Sequence, residues 1–146
     1  MNLTKDLKEF VALLNVANVK YLLVGGHAVA FHGHPRYTGD VDFYVEPSLE
    51  NGVKIAQVFI DFGFGDLGFQ AKDFTELGTV IQLGRPPYRI DILPSLDGIE
   101  FSEAWGSKIE TIFEGEPIHI ISKEMLVKNK IATARPQDLA DVDKLK

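Results

Sequence analysis

The sequence predicts a single domain of the α/β or α+β class, in which helices flank one β-sheet. Three observations support this prediction: helices and strands alternate along the chain, the strand-length apolar runs end at glycine or proline, and no linker or repeat interrupts them. The chain has 146 residues, of which 45% are hydrophobic and none is cysteine. That size and composition correspond to one domain, residues 1–146, with a genuine core and without disulfides or thiolate metal sites.

Charge and hydropathy exclude several classes of function. The formal net charge of −6 argues against tight, non-specific binding to long nucleic acid, which needs clustered cations. No apolar run approaches the roughly 20 residues of a membrane span, and the N-terminus lacks the pattern of a signal peptide. We therefore expect a cytoplasmic protein with no membrane partner.

The first elements follow from apolar spacing and from a glycine pair. Apolar residues at helical spacing predict the first helix, and they are Leu7, Phe10, Val11 and Leu14. The run KYLLV before Gly25 and Gly26 predicts a buried strand that ends in a turn. HAVAFHG, after the glycines, predicts a short helix that ends at Gly33.

The middle of the chain predicts a second strand and a second amphipathic helix. Apolar and polar residues alternate along DVDFYVE, as in a strand with two different faces. Pro47 ends this strand, and Ser48 caps a helix that extends to about Phe62. The glycine-rich segment GFGDLGFQ predicts a loop.

The second half of the chain predicts four strands, a helical turn and two terminal helices. The strands are TVIQLG, YRIDIL, KIETIFEG and PIHIIS, and the helical turn is FSEAWGS. Ser122 opens the first terminal helix and Pro136 begins the second. We expect these helices, about 122–146, to pack on the core. Their charged residues are interpreted as solvated or capping, and they are Lys123, Lys128, Lys130, Asp138, Asp141 and Asp143.

Two aspartates inside a strand that reads as buried are the most informative feature. Residues two apart in a strand share a face, so Asp40 and Asp42 project together. Asp91 holds the same position in YRIDIL, and the three carboxylates converge if the two strands are neighbours. Such a cluster resists burial, but its hard oxygen ligands suit Mg²⁺. The alternative is an ordinary domain in which D-x-D is a solvated strand face.

These residues, taken together, resemble the DNA polymerase beta-like nucleotidyltransferase superfamily, and in particular its small AbiEii-type branch. The matching pattern is GG-x-A, G-x-x-R-x-T-x-D-x-D and a later strand with a central aspartate. In this sequence it comprises Gly25, Gly26, Ala28, Gly33, Arg36, Thr38, Asp40, Asp42 and Asp91. The resemblance implies a palm-like mixed sheet flanked by helices. It also implies transfer of an NMP from an NTP to an acceptor hydroxyl, with release of pyrophosphate.

The resemblance assigns roles to the three carboxylates. Asp40 and Asp42 are implied to hold two Mg²⁺ ions, for which Mn²⁺ can substitute. Asp91 is implied to bind the ion next to the acceptor and to help deprotonate its hydroxyl. Paired ions of this kind activate an attacking hydroxyl and stabilise a leaving phosphate.

The resemblance also implies a nucleotide-binding surface. Gly25 and Gly26 are implied to cradle the triphosphate through their backbone. Thr38 is implied to contact the nucleotide. The C-terminal helices resemble the family pattern K-x-x-x-x-R-x-x-D-x-x-D, in which Lys130, or Lys128, is implied to reach the phosphates, with Arg135, Asp138 and Asp141 nearby. Arg36 either binds phosphate or forms an ion pair that orders its loop. Classical members of the superfamily carry serine where this chain has Gly26, so one hydroxyl contact is missing.

The partners that the resemblance implies are an NTP and an acceptor. The acceptor is a tRNA end, a partner protein or a small molecule, and a toxin–antitoxin module would add a cognate antitoxin or toxin. The competing hypothesis is a non-catalytic nucleotide- or protein-binding module that keeps the fold. A zinc site formed by His27, His32 and His34 is disfavoured by their helical spacing. Arg89 either supplies positive charge near Asp91 or forms a cross-strand salt bridge.

Overall fold

The computed structural model describes residues 3–34, 39–85 and 89–146. Within these residues, six strands form one sheet, and in chain order they are β1 (Tyr21–Val24), β2 (Asp40–Val45), β3 (Ile81–Leu83), β4 (Arg89–Leu93), β5 (Ile109–Phe113) and β6 (Glu116–Ile120). Their spatial order is β3-β4-β2-β1-β6-β5. Strand β2 pairs antiparallel with β1 and parallel with β4, and β1 is parallel to β6. The sheet is therefore mixed, with β2 near its centre.

Six α-helices accompany the sheet in the described part of the chain. They are α1 (Leu3–Val16), α2 (Gly25–Phe31), α3 (Leu49–Phe59), α4 (Phe101–Gly106), α5 (Lys123–Thr133) and α6 (Pro136–Leu145). This architecture confirms the predicted α+β class with a mixed sheet flanked by helices. Among the described residues, no helix combines the length and the apolar character that crossing a membrane requires.

Capping side chains begin two of the helices where the sequence predicts. The Oγ atom of Ser48 accepts a hydrogen bond from the backbone N–H of Asn51 at 3.1 Å. At the start of α5, Ser122 Oγ accepts from the N–H of Met125 at 3.2 Å. Each serine satisfies a backbone donor that the first turn of a helix leaves without an intrahelical partner.

The helix after Ser48 ends where the sequence predicts, but its last turn and the segment after it have unexpected local structure. The α-helix stops at Phe59 and continues as a π-helical turn, Ile60–Phe64, in which Gly63 has a φ of 99°. That positive φ is outside the helical region and breaks the helix just after Phe62, its predicted end. The expected loop, residues 63–70, contains a short 3₁₀ turn, Gly65–Leu67, and a second one, Ala71–Phe74, follows it.

The core lies between α1 and the sheet and is rich in aromatic rings. Phe10 of α1 packs 5.6 Å from Phe43 of β2, and Phe43 lies 5.7 Å from Tyr21 of β1, both between ring centroids. All three side chains are fully buried. Leu126 of α5 and Leu145 of α6 are part of the same hydrophobic cluster. This core fixes the apolar face of β2, so that Asp40 and Asp42 project from the opposite face.

Candidate active site

The parallel pairing of β2 with β4 brings the three predicted carboxylates together. Asp42 and Asp91 occupy the same register position in the two strands. One carboxylate oxygen from each of Asp40, Asp42 and Asp91 lies within 4.8 Å of the others. We expected the three carboxylates to converge if the two strands are neighbours. They are neighbours, and the expected convergence is confirmed.

A turn without side chains lies directly against Asp42. Asp42 is paired with Val24, the last residue of β1, and the chain turns into α2 at the next residue. Gly25 there has a φ of +70°, and a Cβ on it would overlap with Oδ2 of Asp42. Helix α2 thus begins at the glycine pair rather than after it. Only glycine combines this backbone conformation with so close an approach.

Full ionisation of the three carboxylates would place more negative charge in the site than its surroundings neutralise. Burial, followed by the neighbouring Asp40 and Asp91, raises the pKa of Asp42 to about 8. Burial also raises the pKa of Asp91, although hydrogen bonds and charge from Arg89 offset part of that effect. Like charges at this distance in a partly buried site disfavour full ionisation. The site therefore favours additional positive charge.

Arg89 supplies part of that charge, from the same strand as Asp91. Its Nε donates to Oδ1 of Asp91 at 2.8 Å, and its Nη2 donates to Oδ2 of Asp91 at 3.1 Å. Nη2 also donates to Oδ2 of Asp40 on β2 at 3.3 Å. The sequence left open whether Arg89 supplies positive charge near Asp91 or forms a cross-strand salt bridge. It does both, since its guanidinium contacts Asp91 on its own strand and Asp40 on β2.

A cleft of about 820 Å³ opens over the carboxylates. One wall consists of the glycine turn and the carboxylates of β2 and β4, and the other comes from α5 and α6. Three side chains of the helical wall are charged: Lys130, Arg135 and Asp138. Volumes of this size are typical of sites for small ligands and cofactors.

The predicted nucleotide contact Lys130 lines this cleft, but it is not a solvated lysine. Its Nζ lies 3.4 Å from Oδ1 of Asp138 and 3.2 Å from Oδ2 of Asp141. Lys130, Asp138 and Asp141 are 5%, 1% and 0% exposed. The interpretation of these three residues as solvated was wrong, because α5 and α6 pack against each other and bury the charges between them. Asp138 does have the predicted capping role, since it accepts from the backbone N–H of Arg135 at 3.2 Å.

Arg135, which the family resemblance places near the phosphate-binding lysine, lines the cleft. Its Nε donates to Oδ2 of Asp138 at 2.7 Å, and Nη2 donates to Oδ1 at 3.2 Å. The side chain is nevertheless 73% exposed. Arg135 is anchored at one end and open to the cleft, so it is a nucleotide-contact candidate that the sequence analysis named only as a neighbour of Lys130.

The remaining predicted residues lie in different places. Gly26 is buried in the first turn of α2 and lines the cleft. Arg36 and Thr38 fall outside the described residues. His32 contacts the carbonyl oxygen of Ile121 through Nε2 at 3.0 Å. The potential metal-binding group found among residues 3–34, 39–85 and 89–146 consists of the three aspartates.

Comparison with solved structures gives the chain the nucleotidyltransferase fold. A nucleotidyltransferase-like protein from Paracoccidioides brasiliensis aligns with a TM-score of 0.62 and 14% identity, over 98% of this chain and 75% of that one. The antibiotic-resistance factor ANT(2'')-Ia aligns with a TM-score of 0.61 and 15% identity, over 97% of this chain and 81% of that one.

A third structure is the lincosamide antibiotic adenylyltransferase LnuA, solved with lincomycin bound. It aligns with a TM-score of 0.58 and 21% identity, over 97% of this chain and 94% of that one. No protein-family model matches the sequence, and no curated protein has significant similarity to it. At these identities the likeness establishes the fold.

Proposed function

We propose that this protein is a metal-dependent nucleotidyltransferase that moves an NMP from an NTP to an acceptor hydroxyl and releases pyrophosphate. The observation that carries the proposal is the group of Asp40, Asp42 and Asp91, whose oxygens lie within 4.8 Å of one another in the cleft. A solvated strand face fits this group poorly, because Asp91 is only 5% exposed and the pKa of Asp42 is raised to about 8 by burial and its neighbours.

The three residues fit divalent cations by their chemistry and by their charge. Carboxylate oxygens are the ligands that Mg²⁺ prefers, and the raised pKa of Asp42 marks negative charge that a dication would neutralise. We assign Asp40 and Asp42 to two Mg²⁺ ions, or Mn²⁺ in their place, and Asp91 to the ion on the acceptor side. Bound ions would supply electrostatic stabilisation of the charge on the reacting phosphate.

Other groups of the chain would orient the triphosphate. At Gly25 and Gly26 the backbone can come close to phosphate oxygens, because no Cβ intervenes. Arg135 and Lys130 lie on the facing wall of the cleft, where their positive charge would attract the phosphates. Arg36 and Thr38 are kept as proposed nucleotide contacts.

The acceptor would react in line with the leaving pyrophosphate. Its hydroxyl oxygen forms a bond to the α-phosphorus while the bond between the α-phosphorus and the bridging oxygen breaks. A carboxylate oxygen of Asp91 is the proposed acceptor of the hydroxyl proton, since a base must lie within hydrogen-bond reach of the attacking group.

Among the acceptors, we propose a small molecule first. The cleft of about 820 Å³ has the size of a small-ligand site, and the net charge of −6 disfavours long nucleic acid. One structural neighbour is an antibiotic-resistance factor and another is a lincosamide antibiotic adenylyltransferase. A tRNA end and a partner protein remain the other candidates, the latter with a toxin–antitoxin role in the AbiEii-type branch. We propose the cytoplasm as the location and residues 1–146 as one nucleotidyltransferase-like unit.

A transfer assay tests this function. Each α-labelled NTP is incubated with the protein, Mg²⁺ or Mn²⁺, and three acceptor pools: total RNA, cell lysate proteins and small polyhydroxylated compounds that include lincosamides and aminoglycosides. The control is Asp42→Asn, which keeps the size of the side chain. We expect labelled product that falls by more than about 100-fold in the variant, since even partners that only orient metal ligands contribute about 10–100-fold.

The same assay separates the competing hypothesis. Metal-dependent nucleotide binding without transfer, lost in Asp42→Asn, would favour a non-catalytic nucleotide-binding module. That module is the second candidate because Gly26 stands where classical members of the superfamily carry serine. The absence of both transfer and nucleotide binding would contradict the proposed function.

A further inference from the structure

Arg89 neutralises the carboxylates through an arrangement that a metal ion would have to disturb. Its guanidinium contacts both oxygens of Asp91 and one oxygen of Asp40, at 2.8 to 3.3 Å. Charge-assisted hydrogen bonds are roughly twice as strong as neutral ones, and bidentate bonds between a guanidinium and a carboxylate add geometric specificity. Two of the three carboxylates in the site are therefore already bound to a cation that belongs to the chain.

Burial strengthens this arrangement. The side chain of Arg89 is 27% exposed and that of Asp91 is 7% exposed, so solvent screens their attraction only in part. The backbone register reinforces the contact, because Arg89 of β4 lies directly opposite Asp40 of β2. The strand register and partial burial thus fix the guanidinium next to the carboxylates, unlike a freely solvated surface charge.

We propose that Arg89 is a displaceable internal counter-ion, which competes with divalent cations for Asp91 and Asp40 and so sets the metal affinity of the nucleotide-free site. This inference rests on the metal site of the proposed function. A dication bound at Asp91 would lie next to a guanidinium, and the two positive charges repel at such short range. Metal binding at Asp91 therefore requires Arg89 to release its bidentate hydrogen bonds to that carboxylate.

The cleft has room for the guanidinium of Arg89 once it is released from Asp91. Arg89 lines the cleft together with Asp91, so the side chain can turn toward it without leaving the site. A nucleotide triphosphate in the cleft would bring negative charge that attracts both the metal ions and the freed guanidinium. Metal binding is consequently weak alone and strong with nucleotide, which couples the two ligands.

Mn²⁺ binding without nucleotide tests the inference, because it is read out independently of activity. Free Mn²⁺ is measured by electron paramagnetic resonance during titration of the wild type, Arg89→Met and Asp42→Asn. Lys20→Met is the matched control, since it removes the same charge from an exposed pair with Glu46 outside the cleft. We expect Arg89→Met to bind Mn²⁺ at least about tenfold more tightly than the wild type and Lys20→Met, because a unit charge at this range contributes more than the 1.4 kcal/mol of a tenfold change.

The outcomes distinguish this inference from the proposed function. Equal or weaker binding by Arg89→Met, with binding lost in Asp42→Asn, would overturn the role of Arg89 and leave the metal site in place. No Mn²⁺ binding by any of the proteins would overturn both. If Arg89→Met does not fold, Arg89→Gln makes the same charge change and keeps an N–H donor toward Asp91. Its affinity for Mn²⁺ is expected to rise in the same direction, and an unchanged affinity would overturn the inference.

Discussion

At the scale of single residues, Asp42 and Gly25 form one structural unit. The carboxylate of Asp42 occupies the space where any other residue at position 25 would place its Cβ. The same contact lets the backbone of the turn come within reach of whatever the carboxylate binds. A glycine that a sequence analysis assigns to phosphate binding therefore has a second role, which is to admit the aspartate.

Gly25→Ala is expected to displace Asp42 as well as to strain the backbone. The positive φ alone costs about 1–2 kcal/mol for an alanine. Gly68→Ala is the matched control, because Gly68 has a φ of +72° against +70° at Gly25 and nothing within 4 Å of its added Cβ. In urea titrations we expect Gly68→Ala to lose that amount of unfolding free energy and Gly25→Ala to lose more. Gly25→Ala should also bind Mn²⁺ more weakly than the wild type. Equal effects of the two variants would contradict the close contact between Gly25 and Asp42.

At the scale of elements, helices α5 and α6 are joined by buried charges. Lys130 lies between Asp138 and Asp141, and Thr133 donates to Oδ2 of Asp138 at 2.7 Å. Burial alone would raise the pKa of Asp138, but the bonds from Arg135 and Thr133 and the charge of Lys130 outweigh it and lower the pKa. These contacts position the helical wall of the cleft.

Lys130→Met is expected to destabilise the protein by about 3–5 kcal/mol, because it leaves two buried carboxylates without their shared cation. Lys128→Met on the same helix is the control, since Lys128 forms an exposed pair with Glu103, and each side chain is 51% exposed. Its effect should stay within about 0.5 kcal/mol. Chemical denaturation of both variants measures the difference. A loss for Lys130→Met as small as that for Lys128→Met would contradict a structural role for this lysine.

At the scale of the whole molecule, the cluster of three carboxylates makes the stability of the metal-free protein depend on pH. Asp42 has a pKa of about 8 in the folded protein, well above the ordinary value of 3.8 for an aspartate. Between these values the folded state holds a proton that the unfolded state has released. The free energy of unfolding therefore falls as pH rises through this window, and the stabilising contribution is fully present below about pH 4 and lost above about pH 8.

Thermal unfolding without metal, measured from pH 5 to pH 8, tests this dependence. Burial lowers the pKa of His27 and of His119, and these groups act in the opposite direction, so the measured quantity is the difference between the wild type and Asp42→Asn. We expect the wild type to lose stability relative to the variant as pH rises. Mg²⁺ at pH 8 should restore the wild type and leave the variant unchanged. A difference that is constant with pH would show that Asp42 titrates normally in the fold.

Much of the fold and part of the site were predictable, and the reasons differ between elements. Periodicity and punctuation placed the α-helices and strands of the described residues, because apolar spacing marks both and a side-chain cap such as Ser48 or Ser122 marks some of the helix starts. The glycine-rich segment also placed the break at Gly63, but local signals do not report the 3₁₀ turns that follow it. The buried state of Lys130 and Asp138 was not predictable, since helical spacing puts charged residues on a face without showing what covers it.

The sequence by itself determined which residues share a face of a strand, because side chains alternate along every extended chain. It therefore determined that Asp40 and Asp42 project together and that Asp91 and Arg89 do the same. Only the tertiary structure decided that β2 and β4 are parallel neighbours with Asp42 opposite Asp91. Strand pairing is a long-range choice, made by packing and register across segments distant in the chain. That choice turned two separate patterns into one group of carboxylates.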